Sequence, residues 1–191
     1  METDYSSLPP DLPVPEDDGA ADHLTGMDLP PLALAVAGGA GQRFDLREAA
    51  TIGTLVAFVY PRTGTPGEPL VPGWDDIQGA RGCTPQSCAF RERHFALAGL
   101  GAMVVGISAM DPGAQAAFAE REQLPYALLN DGPLTLRDEL GLPTFDVCGT
   151  TLYKRLTFVA RDGRIDKVFY PVFPPDRNAA EVEAFLRSAE P

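Results

Sequence analysis

One apolar run constrains the fold of this chain more than any other feature. Residues 54–60, TLVAFVY, are almost entirely apolar and rich in β-branched and aromatic side chains, and Pro61 follows them. A strand needs this composition when both of its faces are buried, because neither face can then carry polar side chains. The run therefore predicts a strand in a sheet that is covered on both sides.

The segments after this strand alternate between helical and extended patterns. We expect a helix that is capped by Thr84, begins at Pro85 and runs on through QSCAFRERHFALAGL, and then a strand over 102–107, a helix over 114–121 and a strand over 126–129. Such alternation is typical of an α/β fold with a mainly parallel sheet.

Two antiparallel hairpins and a closing helix complete the expected elements. Glycines at 38–41 separate LALAV from RFDL, and an Asp-Gly turn at 162–163 separates RLTFVA from RIDKVFY. The last helix should begin near Asn178, whose side chain can cap the amphipathic stretch that follows it.

Length and charge limit the classes of function. The 191 residues suit one domain, and the acidic, proline-rich start predicts a leader at 1–28 before a domain at 29–191. A net charge of -12 disfavours binding to nucleic acids and anionic membranes.

No run approaches the roughly 20 apolar residues that span a bilayer, and the start lacks the pattern of a secretion signal. We therefore expect a cytoplasmic protein.

The cysteines carry the strongest chemical signal. Cys83 stands at the predicted helix start, where unpaired backbone N–H groups and the helix dipole stabilise a negative charge, and Arg81 lies two residues before it. A reactive thiolate is therefore favoured there. The alternative is an ordinary cysteine in a loop.

The other two cysteines have weaker assignments. In a continuous helix the Cα atoms of Cys83 and Cys88 would be about 8 Å apart, whereas a disulfide requires less than about 7 Å. The pair could join only if the first helical turn unwinds, and the alternative for Cys88 is packing on the buried helix face. Cys148 is interpreted as a bystander. The histidines, His23 and His94, give no zinc spacing, so we expect no metal and no cofactor.

Five segments of this chain resemble the Q-type peroxiredoxins, the branch related to bacterioferritin comigratory protein. In order they are YPRTGTPG, GCTPQSCAFRE, VVGIS, LPYALLND and KRLTFVARDG, within residues 32–187. The resemblance implies a thioredoxin-like fold with a central mixed sheet, flanking helices and an N-terminal hairpin. It also implies that Cys83 attacks peroxide, that Cys88 resolves the product, and that Arg155 holds the thiolate and the peroxide oxygens.

One departure from the family pattern concerns the active-site loop. The run Pro-x-x-x-Thr-x-x-Cys is divided by an insertion over 68–82, so Pro61 and Thr65 match its first positions while Glu68 occupies the cysteine position. Thr65 could contact peroxide only if the insertion loops out and returns beside it. Otherwise it is a turn residue. The insertion also carries Trp74, which either covers the thiol pocket or packs the loop down.

The resemblance implies a thiol peroxidase that needs no cofactor. Hydroperoxides would oxidise Cys83 to a sulfenic acid, Cys88 would form a disulfide with it, and thioredoxin or a glutaredoxin-like dithiol would reduce that disulfide. An apolar surround of Phe90 and Phe145 would suit organic peroxides as well as hydrogen peroxide. We expect a monomer or dimer. The alternative is a redox-sensing or partner-binding module on the same fold, which the missing threonine at Ala80 favours.

Overall fold

The computed structural model describes residue 5 and residues 7–189. None of the helices in this part of the chain is long and apolar enough to cross a membrane. In chain order the elements are β1 (Ala33–Val36), β2 (Arg43–Asp45), α1 (Leu46–Ile52), β3 (Thr54–Val59), α2 (Cys83–Glu92), α3 (His94–Gly99), β4 (Ala102–Ser108), α4 (Pro112–Arg121), β5 (Ala127–Asn130), α5 (Thr135–Leu140), β6 (Thr144–Val147), β7 (Thr150–Tyr153), β8 (Leu156–Arg161), β9 (Arg164–Phe169) and α6 (Asn178–Ser188).

The main sheet is mixed, with strand order β2-β1-β5-β4-β3-β8-β9. Only the pairings of β3 with β4 and β4 with β5 are parallel, and the remaining neighbours are antiparallel. The mixed sheet and both hairpins are thus confirmed. The mainly parallel sheet expected from the alternation is wrong, because each end of the sheet is formed by a hairpin whose short turn reverses the chain.

Strand β3 lies between two hydrophobic cores. Leu55, Ala57 and Val59 pack into one core with α1 and α5, and the alternate side chains pack into the other with α2, α3, α4 and α6. All but the first residue of β3 are buried, because successive side chains point to opposite faces and both faces are covered. The strand buried on both faces is therefore confirmed.

Three helical predictions need correction. Gly82, not Thr84, is the N-cap of α2, so Pro85 is the third helical residue, where its missing N–H still costs no helical bond. The expected single helix ends at Glu92, and α3 begins at His94 after Arg93. Asn178 does not cap α6, because its side chain is buried and bonded to other elements.

Four short elements were missed by the sequence reasoning. Helices α1 and α5 have seven and six residues, and β6 and β7 have four each. Such lengths are too short for a clear hydrophobic period. A signal for α1 was present, because the Asp45 side chain accepts a hydrogen bond from the Glu48 backbone N–H at 2.9 Å and so caps the helix.

The acidic start of the chain lies against the rest of the fold. Ala21 and Leu24 are buried in the core on the α1 side of the sheet. Asp18 forms an ion pair with Lys154 and accepts a hydrogen bond from the Tyr170 hydroxyl at 2.7 Å. These two bonds hold the pKa of Asp18 at about 2. The division into a leader at 1–28 and a domain at 29–191 stays a prediction.

The close packing of β4 gives a test of the core beneath α2. A Cβ atom at Gly106 would lie 2.6 Å from Leu128 Cδ2 and 2.6 Å from Phe58 Cζ, and the Phe58 ring stacks on Phe90 of α2. We expect Gly106→Ala to lower the free energy of unfolding by about 1–3 kcal/mol through overpacking. Chemical denaturation measures this.

The matched control is Gly99→Ala in α3. A Cβ atom at Gly99 meets nothing within 4 Å. Alanine also favours a helix over glycine by up to about 1 kcal/mol. This variant should be no less stable than the wild type, and an equal loss of stability in both variants would contradict the packing argument.

Candidate active site

Cys83 is the first residue of α2 and is buried, with 4% of its surface exposed. It lies beside unpaired N–H groups of the first helical turn, as expected for a helix start. Gly82 precedes it with a φ of 100°, and a Cβ atom there would lie 2.4 Å from Pro175 Cγ. Only glycine tolerates both this positive φ and the close approach of Pro175. Gly82 therefore allows the chain to turn sharply into the helix.

Arg155 is the cation that faces the thiol. Its Nη2 atom lies 3.1 Å from Cys83 Sγ, and the residue is only 3% exposed. Nη2 also donates to the carbonyl oxygens of Ala80 and Arg81, and Nε donates to that of Gly79. No carboxylate of the described residues forms an ion pair with Arg155, so the Cys83 sulfur is the side-chain atom that its Nη2 atom faces.

Gln86, which sequence reasoning missed, holds this arginine in place and is itself bonded to Asn178. Gln86 Oε1 accepts a hydrogen bond from Arg155 Nη1, and Gln86 Nε2 donates to Asn178 Oδ1 at 3.0 Å. Thr157 also donates to Asn178 Oδ1, at 2.6 Å. A signal was available for Gln86 alone, because it stands three residues after Cys83 and a helix brings such residues to one face.

A small cavity opens above the thiol. Its wall includes Cys83, Thr63, Thr65, Thr84 and Trp74, and its free volume is about 30 Å³. Thr65 and Cys83 therefore share one cavity wall although the insertion over 68–82 lies between them in the sequence, and the catalytic assignment of Thr65 stays a prediction.

Several predicted neighbours of the thiol lie elsewhere. Pro61 is buried away from the cavity wall, and its carbonyl accepts a hydrogen bond from Ser108 at 2.7 Å. Phe90 stacks on Phe58, and Phe145 packs against Trp74, so neither phenylalanine lines the cavity as expected.

Residues 74 and 81 of the insertion are both buried. Arg81 is 8% exposed and forms an ion pair with Asp75 at 3.4 Å. Trp74 packs with Ala80 and Leu152 in a small apolar cluster and also lines the cavity. Trp74 therefore both borders the thiol pocket and packs the loop against the fold, as its two interpretations expected.

Cys88 lies on α2 beside Glu122, the residue that follows the last residue of α4. It is half-buried, and its thiol donates to Glu122 Oε2 at 3.6 Å. Arg91 Nη1 and Arg121 Nε hold the same carboxylate at 3.6 and 3.1 Å. Burial raises the pKa of the Cys88 thiol, Arg91 lowers it, and Glu122 raises it again. Sequence reasoning gave no signal for Glu122.

The remaining groups near the site carry little further chemistry. Cys148 is exposed with a φ of 48°, and with Gly149 it forms the tight turn between β6 and β7. Burial raises the pKa of the Tyr60 phenol, and the charge of Cys83 raises it further. Within residues 5 and 7–189, no three His, Cys, Asp or Glu side chains are grouped as a metal site.

Comparisons with known proteins agree with this geometry. The redoxin family matches residues 24–186. Chloroplastic peroxiredoxin Q proteins of Gentiana triflora and Populus jackii are 35% and 34% identical over 135 and 134 residues, which cover 71% and 70% of this chain. In both cases the match spans 55% of the relative.

Solved structures share the fold. Peroxidoxin BcpB from Mycobacterium tuberculosis superposes with a TM-score of 0.71 at 29% identity, covering 88% of this chain and 99% of that chain. PrxQ of Xylella fastidiosa superposes with a TM-score of 0.69 at 20% identity, covering 87% and 97%. The thioredoxin-like peroxiredoxin fold expected from the motifs is confirmed.

The contact between Cys88 and Glu122 predicts how the pKa of Cys88 changes when the Glu122 carboxylate is replaced by a neutral amide. Glu122→Gln should lower the pKa of Cys88, because the raising carboxylate is removed while Arg91 and Arg121 remain. The rate of alkylation by iodoacetamide against pH measures this in a Cys83→Ser, Cys148→Ser background. Glu120→Gln, on the exposed side of α4, should leave the pKa unchanged. An unchanged pKa of Cys88 in Glu122→Gln would show that Glu122 does not raise the pKa of this thiol.

Proposed function

Because the chain belongs to the redoxin family, as a Q-type peroxiredoxin, we propose that it is a thiol peroxidase with Cys83 as its nucleophile. One observation carries the proposal: the distance of 3.1 Å between Cys83 Sγ and the buried guanidinium of Arg155. Because no carboxylate in the described part of the chain pairs with this buried arginine, its charge is available to a thiolate, which is the nucleophilic form of cysteine.

The first step oxidises Cys83 and reduces the hydroperoxide. The thiolate sulfur attacks the terminal peroxide oxygen, the O–O bond breaks, and the S–O bond forms. The leaving oxygen takes the electron pair and one proton and departs as water or an alcohol. Arg155 and the N–H groups at the start of α2 would stabilise the charge that moves onto the oxygens. Thr65 and Thr84, on the cavity wall, carry hydroxyl groups that could bind the peroxide. Pro61 would act at a distance, by holding the strand end that precedes Thr65.

The second step consumes the sulfenic acid. The sulfur of Cys88 attacks Cys83 Sγ, a disulfide forms, and the hydroxyl group leaves as water with the proton of the Cys88 thiol. Both cysteines are in α2 and both are free thiols in this structure. The first turn of α2 therefore has to unwind before the sulfurs can meet.

An external dithiol would complete the cycle. Thiol-disulfide exchange with thioredoxin or a glutaredoxin-like protein would return Cys83 and Cys88 to thiols. The chain spans about half the length of the curated relatives that it matches. Its substrates and reductant are therefore inferred from the geometry of its own site. We assign it no cofactor, a monomeric or dimeric state and a cytoplasmic location, where three free cysteines would stay reduced.

Cysteine variants test the mechanism directly. Stopped-flow oxidation by hydrogen peroxide should be abolished in Cys83→Ser, because the nucleophile is gone. Cys88→Ser should still be oxidised but stop at a sulfenic acid that dimedone traps, and Cys148→Ser should form the wild-type disulfide, identified by mass spectrometry. Oxidation of the wild type no faster than that of free cysteine would instead favour a redox-sensing or partner-binding module.

Arg155→Met tests the electrostatic part of the proposal. We expect the second-order rate constant of Cys83 oxidation to fall by about 10²–10³, the cost of removing one fixed donor to a developing charge. Arg161→Met is the matched control, since Arg161 ends β8, the strand that begins directly after Arg155, and pairs with Asp166. Equal rate constants in the two variants would contradict the role given to Arg155.

A further inference from the structure

Tyr5 of the acidic leader forms part of the wall of the cavity above Cys83. Its hydroxyl donates to the Glu68 carbonyl at 2.9 Å, and the guanidinium carbon of Arg81 lies 5.4 Å from its ring centre. Glu68 and Arg81 lie near the two ends of the insertion over 68–82. The leader and the insertion are thus joined across the cavity.

Gly64 shows how closely the tyrosine ring approaches the chain. A Cβ atom at this position would lie 2.0 Å from Tyr5 Cε1 and 2.3 Å from Cδ1 and Cζ. The backbone of Gly64 is not in the left-handed region, so the position needs glycine for the close approach of the ring alone. Alanine is compatible with the backbone there but not with the ring.

The cavity is partly open to solvent, and the free space between its walls is small. A water molecule needs about 10–15 Å³ on this measure, so about 30 Å³ admits a molecule of very few heavy atoms. Three bulky side chains of the insertion, Leu70, Val71 and Trp74, lie on the wall together with Tyr5. Hydrogen peroxide fits this space, whereas the aryl group of a larger hydroperoxide would meet the side chains of the wall on its way to the sulfur.

We propose that Tyr5 and the insertion over 68–82 form a size filter that admits hydrogen peroxide to Cys83 and retards bulky organic hydroperoxides. The inference rests on the proposed peroxidase function and narrows its substrate class. It assigns the leader a role in specificity, since Tyr5 lies on the cavity wall and contacts Glu68 and Arg81 of the insertion.

Two variants test the filter by different routes. Tyr5→Ala removes the ring, and Gly64→Ala expels it by steric collision. Stopped-flow rate constants for hydrogen peroxide and cumene hydroperoxide are compared as a ratio. The wild type should react faster with hydrogen peroxide, and both variants should shift the ratio toward cumene hydroperoxide by about tenfold or more, the range set by pocket size in other enzymes. Phe95→Ala, which removes an exposed aromatic ring on α3, should leave the ratio unchanged.

A second readout does not depend on peroxide chemistry. In a Cys88→Ser, Cys148→Ser background, Cys83 is alkylated with N-methylmaleimide and with the larger N-(1-pyrenyl)maleimide. Tyr5→Ala and Gly64→Ala should raise the relative rate of the larger reagent. Rapid oxidation of Cys83 with both ratios unchanged, or a wild type that prefers cumene hydroperoxide, would overturn the filter alone. Failure of both peroxides to oxidise Cys83 would overturn the peroxidase function and the filter with it.

Discussion

The positive charge of Arg155 is buried at the junction of three parts of the chain. The hydrogen bonds that this charge requires fix the positions of those three parts relative to one another. An isolated charge in a protein interior costs several kcal/mol unless it is paired and hydrogen-bonded. Here the carbonyl groups of residues 79–81, the Gln86 amide and the Cys83 sulfur surround the guanidinium. The end of the insertion, the start of α2 and the start of β8 are therefore fixed relative to one another by one side chain. The side chain that we propose activates the thiol is therefore also the one that orders this corner of the fold.

The inserted loop is ordered because it carries its own apolar cluster. Trp74 and Ala80 pack with Leu152 of β7, and Phe145 of β6 lies against the tryptophan ring. A loop of this length loses considerable entropy when it is fixed, and burial of large aromatic side chains offsets that loss. The β6-β7 hairpin projects from the main sheet and supplies the surface on which the loop rests. Insertion and hairpin together return the chain to Cys83 with Thr65 on the same cavity.

The sequence predicts those features that depend on neighbouring residues. The apolar run of β3, the Asp-Gly turn before β9 and the helix start at Cys83 follow from local composition, and the family motifs add Arg155. Contacts between distant residues were not predictable. Gln86 meets a residue 92 positions away, and Cys88 meets one 34 positions away. Asn178 was interpreted as a helix cap because its side chain suits that role, yet the fold gives it partners on α2 and β8.

The proposed cycle requires the first turn of α2 to stay folded before oxidation and to unwind after it. The charge of Cys83 would control this change. While the sulfur is a thiolate, Arg155 and the helix dipole both stabilise the folded turn. A sulfenic acid carries no such charge, so the turn loses these interactions when Cys88 has to reach the sulfur. Opening is also inexpensive in backbone hydrogen bonds, because Pro85 has no N–H to lose and the first helical bond joins Gln86 N to Gly82 O. Oxidation thus removes the interaction that holds the reduced conformation together.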